Sequence, residues 1–365
     1  MKVREQKIAL RVDASSQIGT GHFMRCLTLA EALKKQGAEI RFVSRGLPTH
    51  LRDMLATKSM QFVALDSETS EATDGDLAHA QWLGTSQAQD AQATIQALAG
   101  QQWDWLVVDH YALDARWESM LKQSAKSILV IDDIADRQHD CDVLLDQNFY
   151  ADMQTRYDGK VPAHCQRLLG PHYALLRDEF RKLREQIKPR TGAVKKILVF
   201  FGGVDADNYT GLAIKALTEL GIQGLRVDVV LGAQHPCREA IEKACAAQGY
   251  VCHVQTNRMA ELMAEADLAI GAGGSANWER CAMGLPSLIM VLAENQNKAA
   301  KDLAAAGVLI NMGDARLIMK TDLIRAIDKL LVDEQLRTEL SNASLQLVPM
   351  SEQNELAEIM NGNYV

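Results

Sequence analysis

The chain has no uncharged apolar run approaching the about 18 residues that a membrane span requires, so no segment is expected to cross or enter a bilayer. Its opening, MKVREQKIAL, holds no signal-peptide h-region and leads straight into a strand pattern, which makes the cytoplasm the expected location. A basic stripe with interleaved aromatics is missing as well. With a net charge of −8 the chain would repel a phosphate backbone, and nucleic acid is not an expected partner. The seven cysteines include no CxxC pair, which argues against a zinc site or a disulfide framework, and they read as reduced core thiols. No metal-ligating cluster stands out, and neither GxSxG nor GxxxxGK followed by Ser or Thr occurs. These absences set aside serine hydrolases of the nucleophile-elbow type and P-loop NTPases, and no metal or cofactor is expected.

What the chain does have is length and rhythm. Its 365 residues exceed the roughly 250–300 at which a single core stops growing, so two domains are expected. In the first half, apolar runs alternate with amphipathic helical stretches: KIALRVDA (7–14), RFVSRG, QFVALD, WLVVDH, SILVIDD and DVLLD read as strands. A helix over 23–37 places Phe23, Leu27, Ala30 and Leu33 on one face and stops at Gly37. The Ala-, Gln- and Thr-rich stretch 67–100 reads as a variable loop plus one helix. GPHYALLRDEFRKLREQIKP, ending at Pro189, reads as a charged helical crossing between domains. A second series follows: KKILVFFGG, LRVDVVLG, YVCHVQT, DLAIGAGG, PSLIMVL and VLINMG, with helices from about Tyr209, Pro236, Asn257, Ser275, Gln296 and Thr321. The fold class is therefore α/β, with two Rossmann-like doubly wound domains expected over 1–188 and 189–345 and a tail over 346–365.

Ligands of open α/β sheets bind just beyond strand C-termini, and both halves place glycine-rich, polar loops there. SSQIGTGH (15–22) joins strand to helix, with Gly19 and Gly21 permitting a close backbone approach and exposed amides favouring an anion. His22 stands at that helix start and is the best-placed general base in the chain, because imidazole titrates near neutrality. A tight turn with a capping histidine accounts for the same residues almost as well. GAGGSANWE (271–279) ends a strand in a turn whose Gly273, Gly274, Ser275 and Ala276 amides could cradle a diphosphate. Glu279, about one turn into the helix, is placed to accept hydrogen bonds from ribose hydroxyls. A capping box does not explain it, since that motif needs its acid where Trp278 stands. GGVDADN (202–208), with Gly202 and Gly203, repeats the strand-to-glycine-turn design. In ENQ (294–296), Asn295 and Gln296 offer amides suited to sugar hydroxyls and acetamido groups. DHY (109–111) ends a strand of the first half, where His110 reads as structural. Asp132 and Asp133 end the next strand, and paired acids there are as often loop caps as catalysts, so they stay outside the candidate set.

Taken in order, RVDASSQIGTGHFMRCLTLA, DHY, IDD, GPHYALLRDEF, FFGGVDADN and ERCAMGLPSLIMVLAENQ resemble the family of UDP-2,4-diacetamido-2,4,6-trideoxy-β-L-altropyranose hydrolases (PseG) of pseudaminic acid biosynthesis, over about residues 9–307. The second half is also similar to the UDP-binding domain of MurG-like glycosyltransferases that make lipid-linked peptidoglycan precursors. The resemblance implies a glycosyltransferase-B (GT-B) architecture with a cleft between two domains, a small-molecule UDP-sugar as substrate and no metal requirement. It implies His22 as the catalytic histidine, with Tyr111 and Asn295 as active-site residues. By similarity to the glycosyltransferases, Gly273–Ala276 would hold the diphosphate, Glu279 the ribose and the backbone near Thr256 the uracil edge. A glycosyltransferase on the same scaffold is the main rival, although no apolar, basic-rimmed membrane patch is visible in the first half. A UDP-sugar-binding regulator is a third, for which loss of the base position would be expected. Nothing in these patterns speaks to the oligomeric state.

Overall fold

The computed structural model describes residues 6–15, 17–66, 75–349, 355–360 and 362. Part of the predicted variable loop, 67–74, and much of the predicted tail lie outside the described residues. The chain splits into two compact units, one of Met1–Asn148, Asp152–Leu175 and Gln353–Val365, the other of Phe149–Ala151 and Leu176–Glu352.

The first unit contains β1 (Lys7–Val12), α1 (Gly21–Lys35), β2 (Glu39–Ser44), α2 (Thr49–Thr57), β3 (Gln61–Ala64), α3 (Gln87–Leu98), β4 (Trp103–Asp109), α4 (Ala115–Leu121), β5 (Ala125–Ile131), β6 (Val143–Asp146) and β7 (Gln166–Leu169). All pair in parallel, in the order β3-β2-β1-β4-β5-β6-β7. Ile8, Leu10 and Val12 of β1 pack on one side against the Phe23, Leu27, Ala30 and Leu33 face of α1, whereas Ala9 joins a second cluster with Trp103 and Trp117. Burial on both faces goes with the parallel, helix-covered arrangement, and Arg11, the buried charge on the second face, is paired with Asp13 and Asp90 at 2.7 Å each. Sequence reading missed β7. The strand has four residues, sits at the sheet edge and exposes Gln166 and Arg167, so it carries almost no apolar signal.

In the second unit α5 (Asp178–Arg184) precedes β8 (Lys196–Phe200), α6 (Tyr209–Leu220), β9 (Arg226–Leu231), α7 (Arg238–Gln248), β10 (Val251–Val254), α8 (Met259–Glu265), β11 (Leu268–Ala272), α9 (Ala276–Ala282), β12 (Ser287–Val291), α10 (Asn297–Ala305), β13 (Ile310–Asp314), α11 (Lys320–Val332) and α12 (Glu334–Leu347). The parallel order is β10-β9-β8-β11-β12-β13. All six expected strands form, and the helices start within two residues of the positions read from sequence. The supposed long crossing helix does not. Only Asp178–Arg184 is helical, after a short 3₁₀ turn at Pro171–Tyr173. Gly170, at φ 101°, and Pro171 hold the first part of the segment out of an α-helix, whatever its charge pattern suggests.

The last helix among the described residues is α13 (Glu355–Met360), which belongs to the first unit. Leu356, Ala357 and Met360 join the core under α1, and Trp105 Nε1 donates to the Met360 carbonyl at 2.9 Å. All seven cysteines are free. Cys26, Cys141, Cys245 and Cys281 are buried, but Cys165, Cys237 and Cys252 are half-buried, which corrects the reading of all seven as core thiols. Cys165 and Cys252 lie at or beside edge strands and Cys237 caps α7, places where a small residue is only partly covered.

Candidate functional site

Both sheets reverse their strand order once, between β1 and β4 in the first unit and between β8 and β11 in the second. At such a switch point the loops leave in opposite directions and open a crevice beyond the strand ends. His22 and Tyr111 in the first unit, and Gly202, Gly203 and residues 273–279 in the second, follow the strands at these points, whereas Thr256 follows the edge strand β10 and Asn295 and Gln296 follow β12.

In the first unit α1 opens at Gly21, and no acceptor among the described residues takes the amides of Gly21, His22 and Phe23. Gly19 plays a different part from the one expected. Its amide donates to the Ser15 carbonyl at 2.8 Å, and Ser15 Oγ accepts from Gln17 and Ile18, so this stretch is a self-satisfied turn. Its function is to deliver the chain to α1.

His22 Nδ1 lies 2.6 Å from Asp109 Oδ1 at the end of β4. Arg25, one helical turn after His22, binds the same carboxylate through Nε (2.6 Å) and Nη2 (2.6 Å), and reaches Asp133 through Nη1 (2.7 Å). Arg25 Nη2 also approaches His22 Nδ1 at 3.1 Å. A lone pair on Nδ1 would face a carboxylate oxygen at 2.6 Å, so the proton belongs on Nδ1 and Nε2 carries the free lone pair. Burial alone pushes the Asp109 carboxyl up, but Arg25 and His22 outweigh it and hold it below the usual range. Asp109 is therefore a fixed anion behind the imidazole, ready to stabilise its protonated form.

Tyr111 meets the His22 ring edge-on at 4.5 Å and donates its hydroxyl to Asp133. Burial and the Asp133 charge raise the phenol well above its ordinary value, so Tyr111 is a donor that positions its neighbours and not a base. Trp82 stacks on Tyr111 at 5.6 Å, and His79 abuts both rings at 4.5 and 5.2 Å. His110 is structural, as read: its Nδ1 accepts the Ala112 amide at 3.1 Å, and its Nε2 faces Asp13 at 3.3 Å. The paired acids separate into two roles. Asp133 belongs to the cluster around His22. Asp132 is wholly buried and accepts from the Ala135 amide (2.9 Å) and the Tyr157 hydroxyl (3.0 Å) while pairing with Arg137 (2.9 Å).

Behind Asp132, His139 is enclosed by Glu118 (2.7 Å) and Asp132 (3.8 Å), all three buried. Burial alone would lower the imidazole, but the two carboxylates outweigh it and hold it at about 9. A folded value above the ordinary one near 6.5 means that stability from this charge is complete below about pH 6.5 and lost as pH rises through about 9. The shift corresponds to a ceiling of about 3 kcal/mol. Thermal melts from pH 6 to 10 should fall along this limb, and His139→Gln should flatten it. An unchanged alkaline limb in that variant would remove His139 as the cause.

In the second unit Gly274 adopts φ 131°, a conformation closed to other residues, and turns the chain from β11 into α9. Among the described residues no acceptor takes the amides of Gly274, Ser275 and Ala276, and Ser275 forms no side-chain cap. The Gly273 amide is not part of this set, because it donates to the Met290 carbonyl at 3.1 Å. Gly273 serves instead for packing, since a Cβ there would come 3.3 Å from Gln296 Oε1. Gln296 in turn accepts the Leu292 amide at 3.1 Å and ties the 294–296 turn to the glycine loop, leaving Asn295 exposed. Buried Arg280 braces the loop from below, donating to the Ala272 carbonyl (2.7 Å) and Asn277 (2.5 Å); burial lowers it to about 10.

Glu279 Oε1 is held by Arg177 Nε (3.2 Å) and Nη2 (3.0 Å), which aims the carboxylate. Thr256 follows β10 and accepts the Arg258 amide at 3.1 Å. After the GGVDADN loop, the N-terminus of α6 is occupied from within the chain. Asp205 caps α6 by accepting the amides of Tyr209 (2.9 Å) and Thr210 (2.8 Å), and Asn208 accepts that of Gly211 (3.0 Å). The steric demand here falls on Gly232, where a Cβ would come 1.8 Å from the Gly203 carbonyl oxygen, whereas a Cβ on Gly203 would meet nothing within 4 Å. Sequence reading missed Arg25, Trp82, His79, Arg177 and Arg280, gave Asp109 no role within DHY and set Asp133 aside. Arg25, three residues after His22 on one helix, and Asp109 beside Tyr111 carried a signal; His79 and Trp82, from a separate segment, carried none.

Residues 196–360 match the glycosyltransferase family 28 C-terminal domain. The chain is 25% identical over 345 residues to the spore coat polysaccharide biosynthesis protein SpsG of Bacillus subtilis, covering 93% of this chain and 94% of that one. It is also 25% identical over 303 residues to the UDP-2,4-diacetamido-2,4,6-trideoxy-β-L-altropyranose hydrolase of Campylobacter jejuni, covering 82% and 97%. The structure of MurG from Acinetobacter baumannii superposes with a TM-score of 0.67 at 16% identity, covering 98% of this chain and 99% of that one. The chain thus has the GT-B fold, with a second unit matching the glycosyltransferase family 28 C-terminal domain and a sequence related over most of its length to the altropyranose hydrolase that its motifs resemble.

Proposed function

We propose that this protein is an enzyme acting on UDP-sugars, and that it hydrolyses a UDP-linked 2,4-diacetamido-2,4,6-trideoxy hexose of the β-L-altropyranose type to UDP and the free sugar. The observation that carries the reading is the Asp109–His22 pair, which leaves Nε2 as an oriented base at the α1 N-terminus. In the reaction, water attacks the anomeric carbon, His22 Nε2 takes its proton, and the C–O bond to the diphosphate breaks as UDP departs. Asp109 stabilises the imidazolium. UDP is a good leaving group, so charge support for the diphosphate matters more than a strong acid, and the Gly274, Ser275 and Ala276 amides supply it. Glu279, held by Arg177, takes the ribose hydroxyls, and the Thr256 backbone takes the uracil edge. Asn295 and Gln296 face the sugar.

A transferase on this fold would use the same donor site, so fold alone does not choose water over another acceptor. Similarity to the Campylobacter hydrolase and the presence of His22 support water. The test is proton NMR of the purified protein with a panel of UDP-diacetamido sugars and no acceptor. Free sugar is the expected product, and intact substrate that turns over only on adding an acceptor would replace the hydrolase reading with a transferase.

The ribose role makes a separate claim. Glu279→Ala should weaken UDP binding by about 1–3 kcal/mol, the cost of removing a partner from buried hydrogen bonds. Calorimetry showing unchanged affinity would sink that assignment.

A further inference from the structure

Cys141 and Cys165 stand where β6 and β7 begin, two neighbouring parallel strands in register at Val143 and Gln166. Their sulfur atoms lie 3.6 Å apart, with Cys141 wholly buried and Cys165 half-buried. That is van der Waals contact between two thiols already aimed at one another, at the strand ends opposite the candidate site. A half-buried thiol in contact with a fully buried one divides the work of a redox pair: the first is reached by an oxidant, the second resolves it.

We propose that Cys165 and Cys141 are a reversible oxidation site, in which a hydroperoxide converts the two thiols to a disulfide. The Cys165 thiolate attacks the peroxide, the O–O bond breaks, and sulfur is oxidised to a sulfenic acid as hydroxide leaves and is protonated to water. Cys141 then attacks that sulfur, the S–O bond breaks, and the second hydroxide leaves as water after taking the Cys141 proton. In sum, two thiols and one hydrogen peroxide give one disulfide and two waters. The surroundings fit this division. The hydrogen bond from Cys141 lowers the Cys165 thiol, helped by His139 and Arg167, while that same interaction and burial raise Cys141.

The span between the two cysteines carries Arg156 and Tyr157. Arg156 donates to Asp146 (2.6 Å) and to the Asp133 carbonyl (3.2 Å), and the Tyr157 hydroxyl reaches Asp132 (3.0 Å) and Asp146 (3.1 Å). A disulfide would close this span and reduce the freedom of the segment that supports Asp133, the partner of Arg25 and Tyr111. Oxidation should therefore raise Tm by several degrees.

The test uses the full chain, reduced and then treated with graded hydrogen peroxide, with remaining thiols blocked by N-ethylmaleimide in denaturant and mapped by peptide mass. The expected result is a Cys141–Cys165 linked peptide pair at doses that leave Cys237 alkylated, reversed by dithiothreitol. Cys141→Ser should leave a sulfenic acid at Cys165 that dimedone traps. Two results would overturn the proposal: both cysteines still alkylated at a dose that oxidises Cys237, or Cys165 driven to sulfinic acid beside an intact Cys141 thiol. An oxidised wild-type chain with unchanged Tm would overturn the claim that the bond restrains the segment.

Discussion

His22→Asn is expected to lower kcat for sugar release by about 10²- to 10⁴-fold, the usual loss when a positioned general base is removed. Asparagine keeps a polar side chain of moderate size at the start of α1, and its amide can still donate to Asp109. What disappears is the lone pair at Nε2 and the capacity to hold a proton through the transition state. UDP affinity should change little, because the nucleotide is assigned to the loops of the second unit. The two readouts separate the hypotheses. Near-normal turnover with poor UDP binding would make the histidine a phosphate ligand. The base would then have to be sought outside Tyr111, whose hydroxyl proton is committed to Asp133 and whose phenol is held well above its ordinary range by burial and that charge.

Asp109→Asn should cost nearly as much, about 10²- to 10⁴-fold in kcat, for a different reason. The substitution is almost isosteric, but an amide offers one acceptor where the carboxylate offers two oxygens to four donors: His22 Nδ1, Arg25 Nε and Nη2, and the Cys26 thiol. If the new NH₂ faces His22, Nδ1 must become the acceptor and Nε2 carries the proton, which removes the base. If the carbonyl faces His22, the tautomer survives but the imidazolium loses its counter-ion. Removing a charge from a buried ion pair also destabilises, by about 3–5 kcal/mol when the partner stays buried. Arg25 keeps Asp133, so a smaller loss is expected here. The measurement is therefore kcat, UDP affinity and Tm on the same preparation. A folded variant with unchanged kcat would show that Asp109 serves only to hold Arg25, and that His22 needs no orienting anion.

The sequence by itself determined the architecture and the loops in which the candidate residues lie. Runs such as LAIGA and SLIMV carry only apolar or small residues on both faces, so each must be a central parallel strand covered by helices, and the loops at their ends must carry the polar chemistry. The glycine turn at 273–276 and His22 at the start of α1 were legible for that reason, since their meaning depends on the strand and helix next to them in the chain. The tertiary structure decided what depends on residues brought from elsewhere. Asp109 arrives from another strand, 87 residues after His22, and faces its Nδ1; Asp133 arrives from a third and commits the Tyr111 proton. Arg177 aims Glu279 from 102 residues away. The same holds for the readings that changed. Whether Gly19, Gly273 and the start of α6 offer free amides was settled by the acceptors that already occupy them: Ser15, Met290 and, for Tyr209 and Thr210, Asp205. A hydrogen-bond donor is available to a ligand only if nothing in the folded chain reaches it first, and that is a property of three-dimensional neighbours that no local pattern contains.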